Sequence, residues 1–123
     1  MNVRQNVVVR RDLNMTPGLL AAQVAHISAQ FMLSKAGAKI EQWTDVEKQW
    51  FNSPVLGVLA VNTPEELDVL KNLAVEVGVP YCTWKDTIWF DSLKRKLEVV
   101  VGVAFGPCDD EKLVQVTGGL PLY

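Results

Sequence analysis

Three consecutive β-branched residues, Val7-Val8-Val9, lead through Arg10-Arg11-Asp12-Leu13 to Thr16-Pro17, and this passage constrains the fold more than any other. A valine run without polar alternation suits a strand covered on both faces, because each face then needs apolar side chains. Thr16 can accept a hydrogen bond from the first turn of a helix, and Pro17 has no N–H to leave unsatisfied there. The pair therefore opens a helix that the sequence carries to about Lys35 before Gly37 stops it. A doubly covered strand feeding a long helix is the start of an α/β domain.

That helix has three faces at about 100° per residue. Leu20, Val24, Ile27 and Phe31 form a core stripe. Ala21, Ala22, Ala25 and Ala29 form a small-residue face, expected to let a sheet or a second helix approach closely. Leu19, Gln23, His26 and Gln30 form a narrow polar seam, expected to border a cleft. Further on, Thr44 to Glu47 has capping-box form and predicts a short helix over residues 45–51, docked by Trp43, Trp50 and Phe51. Residues 55–61 read as a second strand. Thr63-Pro64-Glu65-Glu66 starts a helix whose Leu67, Leu70, Leu73, Ala74 and Val77 face inward and which Gly78 closes. A third strand is expected over residues 79–85 and a fourth over 98–105, with residues 91–96 as added loop. Asp109 caps a last helix that ends at Gly118.

This order predicts an α/β fold, a single domain over residues 1–123 with a small four-stranded mixed β-sheet packed by helices on both faces. Helical crossovers imply parallel neighbours for the first strand pairs, and the link between the third and fourth strands suits an antiparallel hairpin.

The 123 residues, 49% of them apolar, provide for one hydrophobic core. No apolar run approaches the roughly 20 residues that a membrane-spanning helix needs, so no membrane partner is expected. Residues 1–5 are polar and lead into no signal-peptide core, so a cytoplasmic location is the expectation. Cys82 and Cys108 are too far apart to suggest a disulfide framework. With one histidine in the chain, neither a metal site nor a cofactor is expected. A formal net charge of −2 excludes a polybasic nucleic-acid binder. The cations are nevertheless uneven: Lys94-Arg95-Lys96 form a compact run, either a solvated loop or a phosphate-contacting patch.

The passage from Arg10 to His26 resembles the opening motif of the type-2 peptidyl-tRNA hydrolase family, roughly R-x-D-L-x-M-x-x-G-K-x-A-A-Q-x-x-H. The match holds at Arg10, Asp12, Leu13, Met15, Gly18, Ala21, Ala22, Gln23 and His26, and Leu19 stands where the family carries its active-site lysine. Residues 55–67 are similar to the family's strand, capping box and helix, and Gly78-Val79-Pro80 to its entry into the third strand. Asp86 stands where the family's D-A-G-x-T loop begins, and Thr87-Ile88-Trp89-Phe90 follow it here. Residues 102–107 resemble its G-x-x-x-G-P region, and residues 116–122 its closing V-T-G-x-L-x-L. The resemblance covers almost the full chain, with residues 36–54 the least similar.

The resemblance implies a hydrolase for the ester joining a peptidyl or aminoacyl group to tRNA, with tRNA as its partner. Such a reaction needs an activated water, stabilisation of the tetrahedral oxyanion and a hold on phosphate or ribose. Asp86, His26 and Gln23 are the candidate catalytic residues. Asp86 would orient or deprotonate a water, or else cap a turn. His26 belongs to the residue type that changes charge near neutral pH, or else is structural. Gln23 would bind a substrate carbonyl or ribose, or else serve as a buried structural amide. The candidate substrate-binding residues are Arg10, Thr16, Gly18, Leu19, Thr87, Lys94, Arg95 and Lys96. Arg10 either touches phosphate or pairs with Asp12, and the free N–H groups of the turn from Thr16 to Leu19 would attract an anion. Lys85 should point away from Asp86, since neighbouring strand residues face opposite sides. Trp84 and Trp89 are core residues or base-stacking ones.

A second reading is a catalytically weak or inactive relative that binds a nucleotide, a small anion or a protein partner in the same cleft; Leu19 and the altered loop favour it. A third, an oligomerising domain, rests on the tryptophan-rich segment 43–51 and leaves a homodimer open.

Overall fold

Val7, Val8 and Val9 are fully buried in strand β1 (Val3–Arg10), as an unbroken valine run requires. The computed structural model describes residues 2–35 and 37–123. The other strands are β2 (Leu56–Val61), β3 (Tyr81–Phe90) and β4 (Arg95–Asp109), and the sheet order is β2-β1-β4-β3. Helices α1 (Pro17–Ser34) and α2 (Asp45–Asn52) cover one face; α3 (Pro64–Val77) and α4 (Asp110–Thr117) cover the other. Alternation along β1 divides the core: Val7 and Val9 pack with Ile27 of α1, whereas Val8 packs with Leu67, Leu70 and Leu113 of α3 and α4. This is the expected α/β domain with a mixed sheet between two helical layers.

Strand β1 pairs parallel with β2 and antiparallel with β4, and β3 pairs antiparallel with β4. Parallel neighbours therefore hold for the first pair only. Helix α3 carries the chain from one edge of the sheet to the other, because β4 takes the place beside β1. The fully buried Val101, Val103, Ala104 and Phe105 require that central place. At the outer edge of β2, the Ala60 N–H donates to the Pro121 carbonyl and the Tyr123 N–H to the Val58 carbonyl. Arg11 holds this C-terminal segment by donating to the Leu122 carbonyl at 3.0 Å and lying over the Tyr123 ring.

Helix caps follow the sequence. Thr16, Thr44 and Thr63 each accept from the backbone N–H three residues on, and Gly78 ends α3 in the left-handed region at φ 86°. Two expectations need correction. The small-residue face of α1 is not packed: Ala21, Ala22 and Ala25 are exposed, because only the sheet lies beneath most of this helix and its core stripe already fills that contact. The third and fourth strands run past their expected ends, and only residues 91–94 form the turn. Thr87-Ile88-Trp89-Phe90 are β-branched and aromatic and suit a pleated, half-buried surface better than a loop. The tryptophan-rich segment is used within the chain. Trp50 is buried with Phe31 and Val3, its indole N–H donating to the Val55 carbonyl at 3.0 Å, and Trp43 packs edge-on to Phe31.

Gly102 fixes how closely α1 approaches the sheet. A Cβ there would lie 2.5 Å from the Val8 carbonyl oxygen and 2.7 Å from Ile27 Cδ1, so only glycine admits the Ile27 side chain. Among the described residues, no helix is long and apolar enough to cross a membrane.

Candidate active site

The polar seam of α1 meets β3 at one point. Gln23 is 1% exposed, and its amide is used at both ends. Nε2 donates to Asp86 Oδ2 at 2.7 Å, while Oε1 accepts from the Trp84 indole N–H at 2.7 Å. These two bonds fix the amide orientation, since a flipped Gln23 would set donor against donor. His26, one turn further along α1, stacks on Trp84 with ring centroids 5.0 Å apart and planes 20° apart. Four side chains from two elements thus lock one another.

Strand periodicity explains the set. Trp84, Asp86 and Ile88 alternate with Lys85 and Thr87, so the even-numbered residues face α1 and the odd-numbered ones face away. A bulge assists: Trp84 pairs with Gly102 and Lys85 with Val100, leaving Val101 of β4 as the extra residue. Bulges sharpen the local twist and re-aim the side chains beside them. Here the twist falls immediately before Asp86.

The carboxyl of Asp86 is held below its ordinary value, first by the Gln23 hydrogen bond, then by the backbone N–H of Thr87 on Oδ1 at 2.8 Å. The nearby charge of His26 acts in the same direction, against slight desolvation. Asp86 is therefore ionised at neutral pH, with its oxygens oriented and part of their surface open to solvent.

Leu19 lies one turn before Gln23 on the same seam and is 39% exposed, so an apolar side chain occupies the mouth of the site. At the helix start, the Leu19 N–H donates to Thr16 Oγ1 at 3.4 Å and the Leu20 N–H to the Thr16 carbonyl. Pro17 has no N–H, which leaves that of Gly18 to meet an anion, and Gly18 has nothing within 4 Å of its would-be Cβ. Thr87 contributes its backbone N–H to Asp86, while its side chain lies on the opposite strand face.

The cations stand apart. Arg10 donates to both carboxylate oxygens of Asp12, at 3.1 and 2.8 Å, and to the Val100 carbonyl at 3.1 Å, so its guanidinium ties the end of β1 to the bulge. Lys94, Arg95 and Lys96 lie at the tip of the β3–β4 hairpin. Arg95 is four residues from Val99, the partner of Asp86, or about 13 Å along the strand.

Trp84 was singled out in the sequence as a core or base-stacking residue; its indole N–H bond to Gln23 is what the fold adds. Other hollows lie away from this site. One of about 300 Å³ is lined by Asn2, Arg4, Gln49 and Asp110 beyond the start of β1. Among the described residues, no three His, Cys, Asp or Glu side chains gather as a metal-binding set.

Comparison with known proteins shows the family. Relatives named peptidyl-tRNA hydrolase include one from Methanopyrus kandleri, 36% identical over 121 residues and covering 97% of each chain. Another, from Haloquadratum walsbyi, is 34% identical over 122 residues, covering 98% of this chain and all of the relative. The fold matches that of a protein of unknown function from Agrobacterium tumefaciens, with a TM-score of 0.58 at 16% identity over 100% of this chain and 98% of that one. The family model described as Peptidyl-tRNA hydrolase PTH2 matches residues 3–123, and the chain belongs to that family.

Proposed function

We propose that this chain hydrolyses the ester joining a peptidyl group to the 3′ end of tRNA, in the cytoplasm, with Asp86 and Gln23 at the reacting centre. The observation that carries this reading is the 2.7 Å bond from a buried amide to an ionised, solvent-facing carboxylate. Family membership and full-length relatives named for this activity support it.

Each Asp86 oxygen accepts one protein N–H and keeps a further lone pair for a water molecule. That water attacks the ester carbonyl carbon, giving up a proton to Asp86 as the C–O bond forms. The carbonyl oxygen takes the negative charge, and the Gly18 N–H at the positive end of α1 faces it. Collapse breaks the bond to the ribose oxygen, which receives the proton from Asp86. The products are a tRNA 3′ hydroxyl and a peptide carboxylic acid, which gives its proton to solvent and leaves as the carboxylate. Gln23 positions the carboxylate, and His26 on its Trp84 shelf supports the ionised form and flanks the ribose. Leu19 supplies no charge, so oxyanion stabilisation falls on backbone dipoles.

The test is release of the N-acetyl-amino acid from N-acetyl-aminoacyl-tRNA by the purified chain and by Asp86→Asn. Turnover is expected, reduced by a factor of about 10² to 10⁴ in the variant, the range for a positioned acid–base group. Equal rates in the two proteins would remove Asp86 from the mechanism.

A further inference from the structure

We infer that the outer part of the β3–β4 hairpin is a binding arm for single-stranded RNA, with Trp89 as its stacking platform. The inference rests on the tRNA reading above and gives it a physical contact surface. Pairing of β1 with β4 stops at Val9 and Gly102, whereas β3 and β4 remain paired from Lys85–Val100 to Phe90–Arg95. This two-stranded arm therefore extends beyond the rest of the sheet. One of its faces is used by the fold: Ile88, Phe90 and Val99 pack with Leu13, Met15, Leu20 and Val24.

The other face carries Lys85, Thr87 and Trp89, with Lys96 directly across from Trp89 and Glu98 across from Thr87; all five are exposed. Trp89 is 52% exposed, and its indole N–H donates to Asp91 Oδ1 at 2.8 Å. That bond engages the ring's polar edge and holds a flat aromatic face towards solvent. Lys94, with φ 52°, completes the tip, while Arg95, paired with Phe90, lies on the face towards α1. Three cations, Lys85, Lys94 and Lys96, thus stand against Asp91 and Glu98, and Asp91 is already engaged by Trp89. A fixed aromatic face flanked by cations suits an unpaired base and its neighbouring phosphates, and stacking of this kind tolerates any base. A duplex would not offer a free base face.

The arm also lies within reach of the reacting centre. Trp89 is three residues from Asp86 on the same strand, about 10 Å away, on the opposite face. Among the described residues, β3 has no strand on its outer side, so RNA passing over that edge meets both positions. This segment is also where the sequence departs from the D-A-G-x-T pattern that it otherwise resembles.

The test is fluorescence anisotropy with a labelled single-stranded RNA octamer ending in CCA and with a duplex of equal length. Trp89→Ala should weaken octamer binding by roughly 5- to 100-fold, the span of one lost base stack, while Trp89→Phe keeps most of the affinity. Neutralising Lys94 and Lys96 to Gln should lower the affinity and flatten its salt dependence. Unchanged octamer affinity in Trp89→Ala, or a duplex bound as tightly as the octamer, would overturn the inference. A dimer that Trp89→Ala dissociates without altering RNA affinity would also overturn it, assigning the arm to a second copy of the chain. Trp89-dependent RNA binding by a chain that hydrolyses no N-acetyl-aminoacyl-tRNA would support the arm and refute the hydrolase reading.

Discussion

Replacing Gln23 with leucine is the perturbation most revealing of how the site is built. The side chains are close in size and Gln23 is buried, so the change removes hydrogen bonding without opening a large cavity. Two bonds of 2.7 Å disappear. The Trp84 indole N–H loses its partner in a half-buried position, a cost of about 1–2 kcal/mol. The bond to Asp86 is charge-assisted, but that carboxylate reaches solvent, so its loss adds about 1 kcal/mol at most. A destabilisation of about 2 kcal/mol at neutral pH is expected, read from urea unfolding midpoints.

The pH dependence has a definite sign. Because Asp86 is held below its ordinary value of 3.8, its contribution is present above that value and lost as pH falls through the lower folded-state value. Gln23 is the largest cause of that depression, so the gap between wild type and variant should be widest above about pH 5 and narrow below 3.8. The residue of the gap in acid is the Trp84 term. An unchanged midpoint at pH 7, or a gap that widens in acid, would refute this account of the site.

Gly102→Ala should cost about 3 kcal/mol, because the new methyl meets the Val8 carbonyl and Ile27 and the carbonyl cannot swing away; thermal unfolding reads this directly. The same change at Gly18, where nothing lies within 4 Å, should leave the melting temperature unchanged or raise it. Cys108 is buried and its thiol is pushed up to about 11, so at pH 8 the native chain should resist iodoacetamide there. Peptide mass spectrometry should find Cys108 modified only after denaturant is added.

Much of the fold was legible because its signals are local. A valine triplet suits a doubly covered strand, and Thr16-Pro17, Thr44 and Thr63 mark helix starts through hydrogen bonds made within one turn. Strand order was not legible, since nothing local says that β4 enters between β1 and β3. The alanine face of α1 misled because small residues permit close packing without requiring it. The arm was missed by giving turn-like Asp91-Ser92-Leu93 more weight than the strand-forming residues before it. For the candidate site, Gln23, His26 and Asp86 were each singled out as candidates, yet only the fold shows that one amide links Asp86 to Trp84. Gln5 was not identified at all; it is fully buried and joins β1 to α1 by accepting from the Ser28 hydroxyl at 2.7 Å.

The central claim is that ester hydrolysis proceeds here without a lysine at the mouth of the site. Its most direct test is kcat/KM on N-acetyl-aminoacyl-tRNA for the unmodified chain beside Leu19→Lys. The account predicts measurable turnover by the unmodified chain and a rise of up to about 100-fold in the variant, as a cation joins the backbone dipoles facing the oxyanion. Turnover confined to Leu19→Lys would contradict it, because the carboxylate, the amide and the helix terminus would then be insufficient for the reaction.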